Sequence, residues 1–384
     1  MNKTSHQIAG QHNGKMKLVF ISDIATPQQV KFCYALQSHM EAYFWFYEHP
    51  DRTRGAWWRV EMGSHCKVLD RVWFAKPGPL EHRYIAPDLQ KELIRVDPDI
   101  VMIGGFSRPS NYLAYRWAKN HGKKIIVFTE RSRNAQGELR KQSLSWKLLR
   151  WLFKDVDMIM VSADDVVAQF RDDFGFGDKV VAGRYAADLD AFFSHPLRRA
   201  NSAYVYLLAN RMTEIYNPLG GLEIFAEIHR RYPASRLLMN ADGELGEVCR
   251  TKIVELGLTE AVEFLTDIGS WDELHKIYAG SDILLLPAHF SNGNFTILEA
   301  MASGMGLVIS DEVLGIGKMI EDGRNGFRCA PTTEAFVNRI ERYISDPELF
   351  VNHAAINRPI VQPLSAEGTA RFFYETVVKF FDIK

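Results

Sequence analysis

One stretch of this sequence places the residue types that ligand chemistry needs at close spacing: HFSNGNFTILEAMASG, running from His289 to Gly304. Gly293 allows a backbone to approach a ligand closely. A helix starting near Phe295 would present amide N–H groups that have no partner inside the helix, at the positive end of its dipole. Phosphate is the group such a helix start attracts, here at Asn294, Phe295 and Thr296. Glu299 falls about one turn inside the helix, beside Leu298, Ala300 and Met301. A carboxylate there can accept two hydrogen bonds, which suits the ribose diol of the same ligand. The alternative is an ordinary acid on an exposed helix face.

Other patterns point to less. The twelve histidines show no HExxH or paired spacing, so no metal site is expected. His289 reads as a loop histidine in solvent. Cys33, Cys66, Cys249 and Cys329 are scattered, without the paired spacing of zinc or redox sites, and fit a reduced, cytoplasmic chain. The segment LRKQSLSWKLLRWLFK (Leu139–Lys154) is basic and amphipathic, with Arg140, Lys147 and Lys154 every seven residues. It fits either a helix resting on an anionic membrane or one packed on a sheet with its lysines outside. WWRV (Trp57–Val60) could add to a membrane or acceptor surface.

The elements that would position these residues are legible as alternation. The chain has 384 residues, long enough for two domains, with 47% hydrophobic and 24% charged residues. A net charge of −1 gives no basic field for nucleic acid. No apolar run is long enough to span a membrane, and the first fifteen residues lack the apolar core of a signal peptide. Short apolar runs predict strands at Lys17–Ser22, Ala42–Tyr47, Asp99–Ile103, Lys124–Thr129 and Asp157–Ser162, then at Ala203–Ala209, Ser235–Asn240, Val262–Thr266, Asp282–Pro287 and Gly306–Ser310. They are continuous rather than alternating, as strands covered on both faces require. Helix-length segments separate them. The expected fold class is α/β, with two Rossmann-like parallel-sheet domains facing across a cleft. The seam is expected in SHPLRRANSA (Ser194–Ala203), giving domains 1–195 and 196–364, followed by a helix over 365–384 that packs back on the first domain.

PAHFSNGNFTILEAMASG resembles the best-known motif of the family 4 retaining glycosyltransferases, which have the GT-B fold and run roughly PSxxEGFGxxxLEAMAxG. The match falls on Pro287, Leu298, Glu299, Ala300, Met301, Ala302 and Gly304. By that resemblance Glu299 binds the ribose of a nucleotide sugar. The motif's first glutamate falls on Ser291, and its GFG on Asn292, Gly293 and Asn294. Ser291 and Asn292 still offer hydrogen bonds to sugar hydroxyls. ANRMTEIYNPLGGLEIFAEI (Ala209–Ile228) resembles the segment in which an arginine and a lysine grip the diphosphate; Arg211 fits the arginine, and Asn217 stands at the lysine. Backbone around Thr266–Ile268 would meet the base.

The first half is more divergent. IGGFSRPSNYLAYRWAKNHGKKIIVFTERSR (Ile103–Arg133) looks like a subset acting in bacterial surface-polysaccharide assembly. It would place Arg108, Glu130 and Arg131 on the acceptor side, with Thr26 also facing the cleft, and Glu130 orienting an acceptor hydroxyl. An ordinary Glu–Arg surface pair is the plain alternative. DLD (Asp188–Asp190) matches a metal signature of a different glycosyltransferase fold but lies in a segment that is structural here. The resemblance implies a metal-independent, retaining transfer from a nucleotide sugar to a glycan or lipid-linked glycan, with no resident cofactor. A GT-B-shaped epimerase and a non-catalytic homologue binding a partner or glycan are the competing readings.

Overall fold

A computed structural model describes residues 15–49, 58, 61–73, 84–130, 144–162, 164–196, 203–266, 268–291 and 294–383. The first half contains strands β1 (Lys17–Ile24), β2 (Glu41–Glu48), β3 (Cys66–Val68), β4 (Val72–Trp73), β5 (Tyr84–Ile85), β6 (Ile100–Gly104), β7 (Lys124–Thr129), β8 (Met158–Val161) and β9 (Val180–Ala182). Between them lie helices α1 (Pro27–Leu36), α2 (Leu89–Val96), α3 (Pro109–Asn120), α4 (Leu144–Leu152), α5 (Asp164–Ala168) and, after β9, α6 (Asp190–Phe193). The second half contains β10 (Val205–Leu208), β11 (Arg236–Asn240), β12 (Val262–Leu265), β13 (Ile283–Leu286), β14 (Gly306–Ser310) and β15 (Phe327–Cys329). Its helices are α7 (Pro218–Arg231), α8 (Gly246–Glu255), α9 (Leu274–Gly280), α10 (Phe295–Ser303), α11 (Thr333–Ser345), α12 (Glu348–Val361) and α13 (Ala366–Phe381).

The strands form two parallel sheets, ordered β3-β2-β1-β6-β7-β8-β9 and β12-β11-β10-β13-β14-β15. β4 and β5 make a separate antiparallel pair. Along β1, Val19 and Ile21 join the core on one face of the first sheet while Leu18 and Phe20 join the core on the other. A strand buried on both faces must be apolar at every position, which is why its sequence reads as a continuous run. The strand order reverses direction between β1 and β6, and again between β10 and β13. At such switch points the connections leave on opposite faces and a crevice opens beyond the carboxyl ends of the strands.

The helices that start at this edge are fixed locally. α1, α3 and α7 each begin with a proline, whose missing N–H is no loss in the first turn. Thr26 caps α1 by accepting from the Gln29 amide at 3.3 Å. The last helix, α13, returns to the first half, where Ala370, Phe373 and Val377 complete the core that holds Leu18, Phe20 and Phe44. Phe32 of α1 meets Phe373 edge-to-face at 6.0 Å.

Strands β3, β9 and β15 were not foreseen, since three-residue edge strands carry no periodic signal. The basic amphipathic segment forms α4 from Leu144. Trp146 faces the core and stacks on Phe174 at 3.9 Å, whereas Leu144, Leu148 and Trp151 are 84%, 55% and 64% exposed. Residues 139–143 of that segment lie outside the described residues, as do Trp57, Arg59 and Val60 of WWRV.

Candidate functional site

β10 delivers Ala209, Asn210 and Arg211 to the carboxyl edge of the second sheet, next to the end of β13. The turn after β11 holds this loop. Asn240 donates its side-chain amide to the Ala209 carbonyl at 3.0 Å, and the Met212 amide donates to the Asp242 carbonyl at 2.7 Å. Gly243 makes the approach feasible: its φ is +142°, and a Cβ there would lie 2.4 Å from the Met212 carbonyl oxygen. Arg211 is thereby fixed beside the start of α10.

Helix α10 follows β13 through the loop that contains Ser291. Asn294 is its N-cap, with Oδ1 accepting from the Thr296 amide at 3.2 Å. Asn210 donates to the same Oδ1 at 3.3 Å, and the Thr296 hydroxyl bonds both asparagines. The Asn294 Nδ2 is buried without a hydrogen-bond partner. The expected phosphate-binding helix start is therefore already capped at Thr296. A diphosphate here would displace Asn294 Oδ1 or use the Phe295 amide. It would also offer an acceptor to the Asn294 side-chain N–H.

Glu299 is not the exposed helix acid of the plain reading. It is 4% exposed, and the hydroxyl of the fully buried Tyr278 donates to its Oε2. Burial raises its carboxyl to about 7, against the lowering effect of the Tyr278 hydrogen bond and with a further push upward from Asp188. Asp188 accepts the Trp271 indole N–H at 3.2 Å and lies 3.9 Å from Lys31 of α1. The DLD sequence thus supports an indole. Glu299, Arg211 and Thr296 line one cavity of about 320 Å3, whose apolar wall includes Ile268, Leu265 and Ile277. Asn294 and Phe295 close it at the helix start, and Gln28 and Trp58 reach it from the first half.

A second cavity of about 550 Å3 opens beyond the carboxyl ends of β1, β6 and β7. Thr26 and Glu130 line it, together with Ser22, Gln29 and Tyr185. Phe295 belongs to both cavities, and a smaller space of about 230 Å3 brings Glu130 and Ser291 together beside it. Burial raises the Tyr185 phenol well above its usual range, reinforced by the Glu130 carboxylate next to it.

Two expected residues are placed elsewhere. Asn217 lines none of these cavities. It adopts φ +51° as the N-cap of α7, accepts from the Gly220 amide at 3.1 Å and donates to the Pro287 carbonyl at 3.1 Å. Both ends of its amide serve the backbone, so it cannot stand in for a phosphate-gripping lysine. Arg108 is 6% exposed and turned inward, paired with Asp23 and 5.5 Å from the Tyr47 ring. Asp23, not Arg108, reaches the larger cavity. Arg131, Asn292 and Gly293 lie outside the described residues. His289 is exposed. Sequence reasoning did not single out Asn210, Tyr278 or Trp271, and it took Trp58, within WWRV, for a membrane or acceptor surface, whereas it lines the cavity of Arg211 and Glu299. Asn210 beside Arg211 was the one visible signal, and the aromatic residues carried none.

Residues 192–357 match the family described as "Glycosyl transferases group 1". An alpha-D-kanosaminyltransferase of Streptomyces kanamyceticus is 25% identical over 259 residues, covering 64% of this chain and 58% of that protein. An uncharacterized glycosyltransferase of Haemophilus influenzae is 26% identical over 131 residues, covering 34% of this chain and 36% of its own length. The chain thus spans little more than half of the first relative and about a third of the second. Among solved structures, HepE of Anabaena in complex with UDP superposes with a TM-score of 0.71 at 15% identity, over 95% of this chain and all of HepE. A glycosyltransferase from Rickettsia africae superposes with 0.72 at 14% identity, over 96% of this chain and all of its own.

Proposed function

We propose that this chain, which has the GT-B fold and a group 1 glycosyl transferase region at residues 192–357, moves a sugar from a nucleotide-sugar donor to a hydroxyl of a glycan or lipid-linked glycan. The observation that carries this reading is the meeting of Arg211, Thr296 and Glu299 in one cavity at the switch point of the second sheet. A cation and a helix start suit a diphosphate, a buried carboxylate suits the ribose diol, and the apolar wall around Ile268 suits the flat base. HepE of Anabaena has been solved in complex with UDP, and with UDP and glucose.

In the reaction the bond between the anomeric carbon and the diphosphate breaks, and a bond from the acceptor oxygen forms. The charge that develops on the departing diphosphate meets Arg211 and the start of α10. The acceptor's proton leaves with the diphosphate, with retention at the anomeric carbon, so neither a strong protein base nor a metal is called on. Glu130, beside Tyr185 and facing Ser291 across the small space next to Phe295, orients the acceptor hydroxyl. Residues 1–195 then form the acceptor side and 196–364 the donor side, with 365–384 bracing the first. We place the enzyme in bacterial surface-polysaccharide assembly, in the cytoplasm at the inner face of the membrane. The exposed Leu144, Leu148 and Trp151 beside Lys147, Arg150 and Lys154 support contact with an anionic bilayer. Among the described residues no helix is long and apolar enough to cross a membrane.

Release of nucleoside diphosphate from a panel of UDP-, GDP-, ADP- and dTDP-sugars tests the proposal. Turnover of one donor, reduced at least about a hundredfold in Arg211→Ala, is expected for a group that stabilises the leaving charge. Donor binding without turnover on any acceptor would favour the non-catalytic homologue.

A further inference from the structure

The space beyond the first sheet has an apolar inner end, with Ser22, Thr26, Gln29, Thr129 and Thr369 in the rest of its lining. It measures about 550 Å3 and is open to solvent at one side. Its inner wall is Phe20, Met102 and Met160 from β1, β6 and β8, with Phe32 of α1 and Phe373 of α13, each at most 9% exposed. Phe128 and Phe372 line it half-buried, and the exposed Glu130 and Arg184 stand at its mouth. A sugar pushed against that inner wall would leave water without gaining hydrogen-bond partners, whereas a hydrocarbon gains by the same move. Phe128, Tyr185 and Phe295 continue as an edge-to-face series, with centroids 5.9 and 5.7 Å apart, from this space to the start of α10. A molecule anchored inside by hydrocarbon would thus hold its polar end at Glu130, beside the donor helix.

We propose that the acceptor carries an alkyl or aryl aglycone, that this aglycone occupies the space walled by Phe20, Met102, Met160 and α13, and that the acceptor sugar sits at the mouth. The inference rests on the transferase reading given above. It makes α13 part of the acceptor site, since Phe372 and Phe373 supply part of the wall.

The test is calorimetric affinity of the full chain for methyl, octyl and phenyl glucosides, galactosides and mannosides, below micellar concentrations, with and without the nucleoside diphosphate it binds. In at least one sugar series the octyl or phenyl compound should bind about tenfold or more tightly than the methyl compound, the scale expected for several buried methylene groups. Octyl above phenyl points to a lipid chain; phenyl equal to or above octyl points to an aromatic aglycone. The gain should fall severalfold in Phe372→Gln and in Phe128→Gln while nucleoside diphosphate affinity holds, which shows that both variants remain folded. Equal affinity across aglycones, no binding by any of them, or a gain that survives both substitutions would overturn the inference. Failure of the wild type to bind any nucleoside diphosphate would instead count against the transferase reading.

Discussion

At the scale of single residues, the site turns on a carboxyl group kept out of water. Glu299 has an ordinary value of 4.5 and sits at about 7 in the folded protein because it is buried, with Tyr278 opposing and Asp188 assisting the rise. The folded state therefore holds the proton more tightly than the unfolded chain. The stabilising contribution is complete below about pH 4.5 and is lost as pH rises through about 7, a change on the order of 3 kcal/mol. Glu299→Gln retains the acceptor for Tyr278 and abolishes the ionisation. It should leave the melting temperature near pH 4.5 unchanged and raise it at pH 8. Equal shifts at both pH values would contradict this. Ligand binding should show the opposite slope, because an ionised carboxylate is the stronger acceptor for a diol. In Tyr278→Phe the hydrogen bond that lowers Glu299 disappears, so the pH at which nucleotide affinity is half-developed should move upward. An unchanged midpoint would separate Tyr278 from the function of Glu299.

At the scale of elements, the loops after β10 and β11 act as one unit. Gly243→Ala would force a Cβ against the Met212 backbone from a positive φ. A loss of about 1–3 kcal/mol in stability, together with weaker nucleotide binding through a displaced Arg211, is the expected result in denaturant melts and titrations. Asn217 gives a test of the opposite kind. The sequence pattern invites Asn217→Lys as a repair of the diphosphate grip, yet the structure makes Asn217 the cap of α7 and a tether to Pro287. The substitution should cost about 1–2 kcal/mol of stability and bring no gain in nucleotide affinity. A gain would show that the side chain at 217 does reach the ligand. The pattern misled here because a motif aligns positions along the chain. It carries no information on whether a short amide at that position turns toward the ligand or back to its own backbone. The long apolar strands, by contrast, were legible because burial on two faces leaves a continuous signal. Three-residue edge strands such as β9 leave none.

For the whole molecule, the cleft joins parts that are distant in sequence. Gln28 and Trp58 from the first half meet Arg211 and Glu299 in the smaller cavity, and α13 walls the larger one. Removal of residues 366–384 would expose Leu18, Phe20 and Phe44 along with the α1 face. It should make the first half sensitive to protease while sites in the second half stay protected; cleavage at equal rates in both halves would speak against this division. The two-sheet architecture could be read from alternation alone. The partners of Glu299 could not, because Asp188 lies far along the chain from the stretch that holds Trp271 and Tyr278, and only folding brings them together. The most direct measurement is the dissociation constant of the preferred nucleoside diphosphate for wild type and for Glu299→Ala at pH 8. A weakening of about 1–3 kcal/mol is predicted from the loss of charge-assisted hydrogen bonds to the diol. Identical constants would contradict the account, because Glu299 would then line the cavity without touching the ligand.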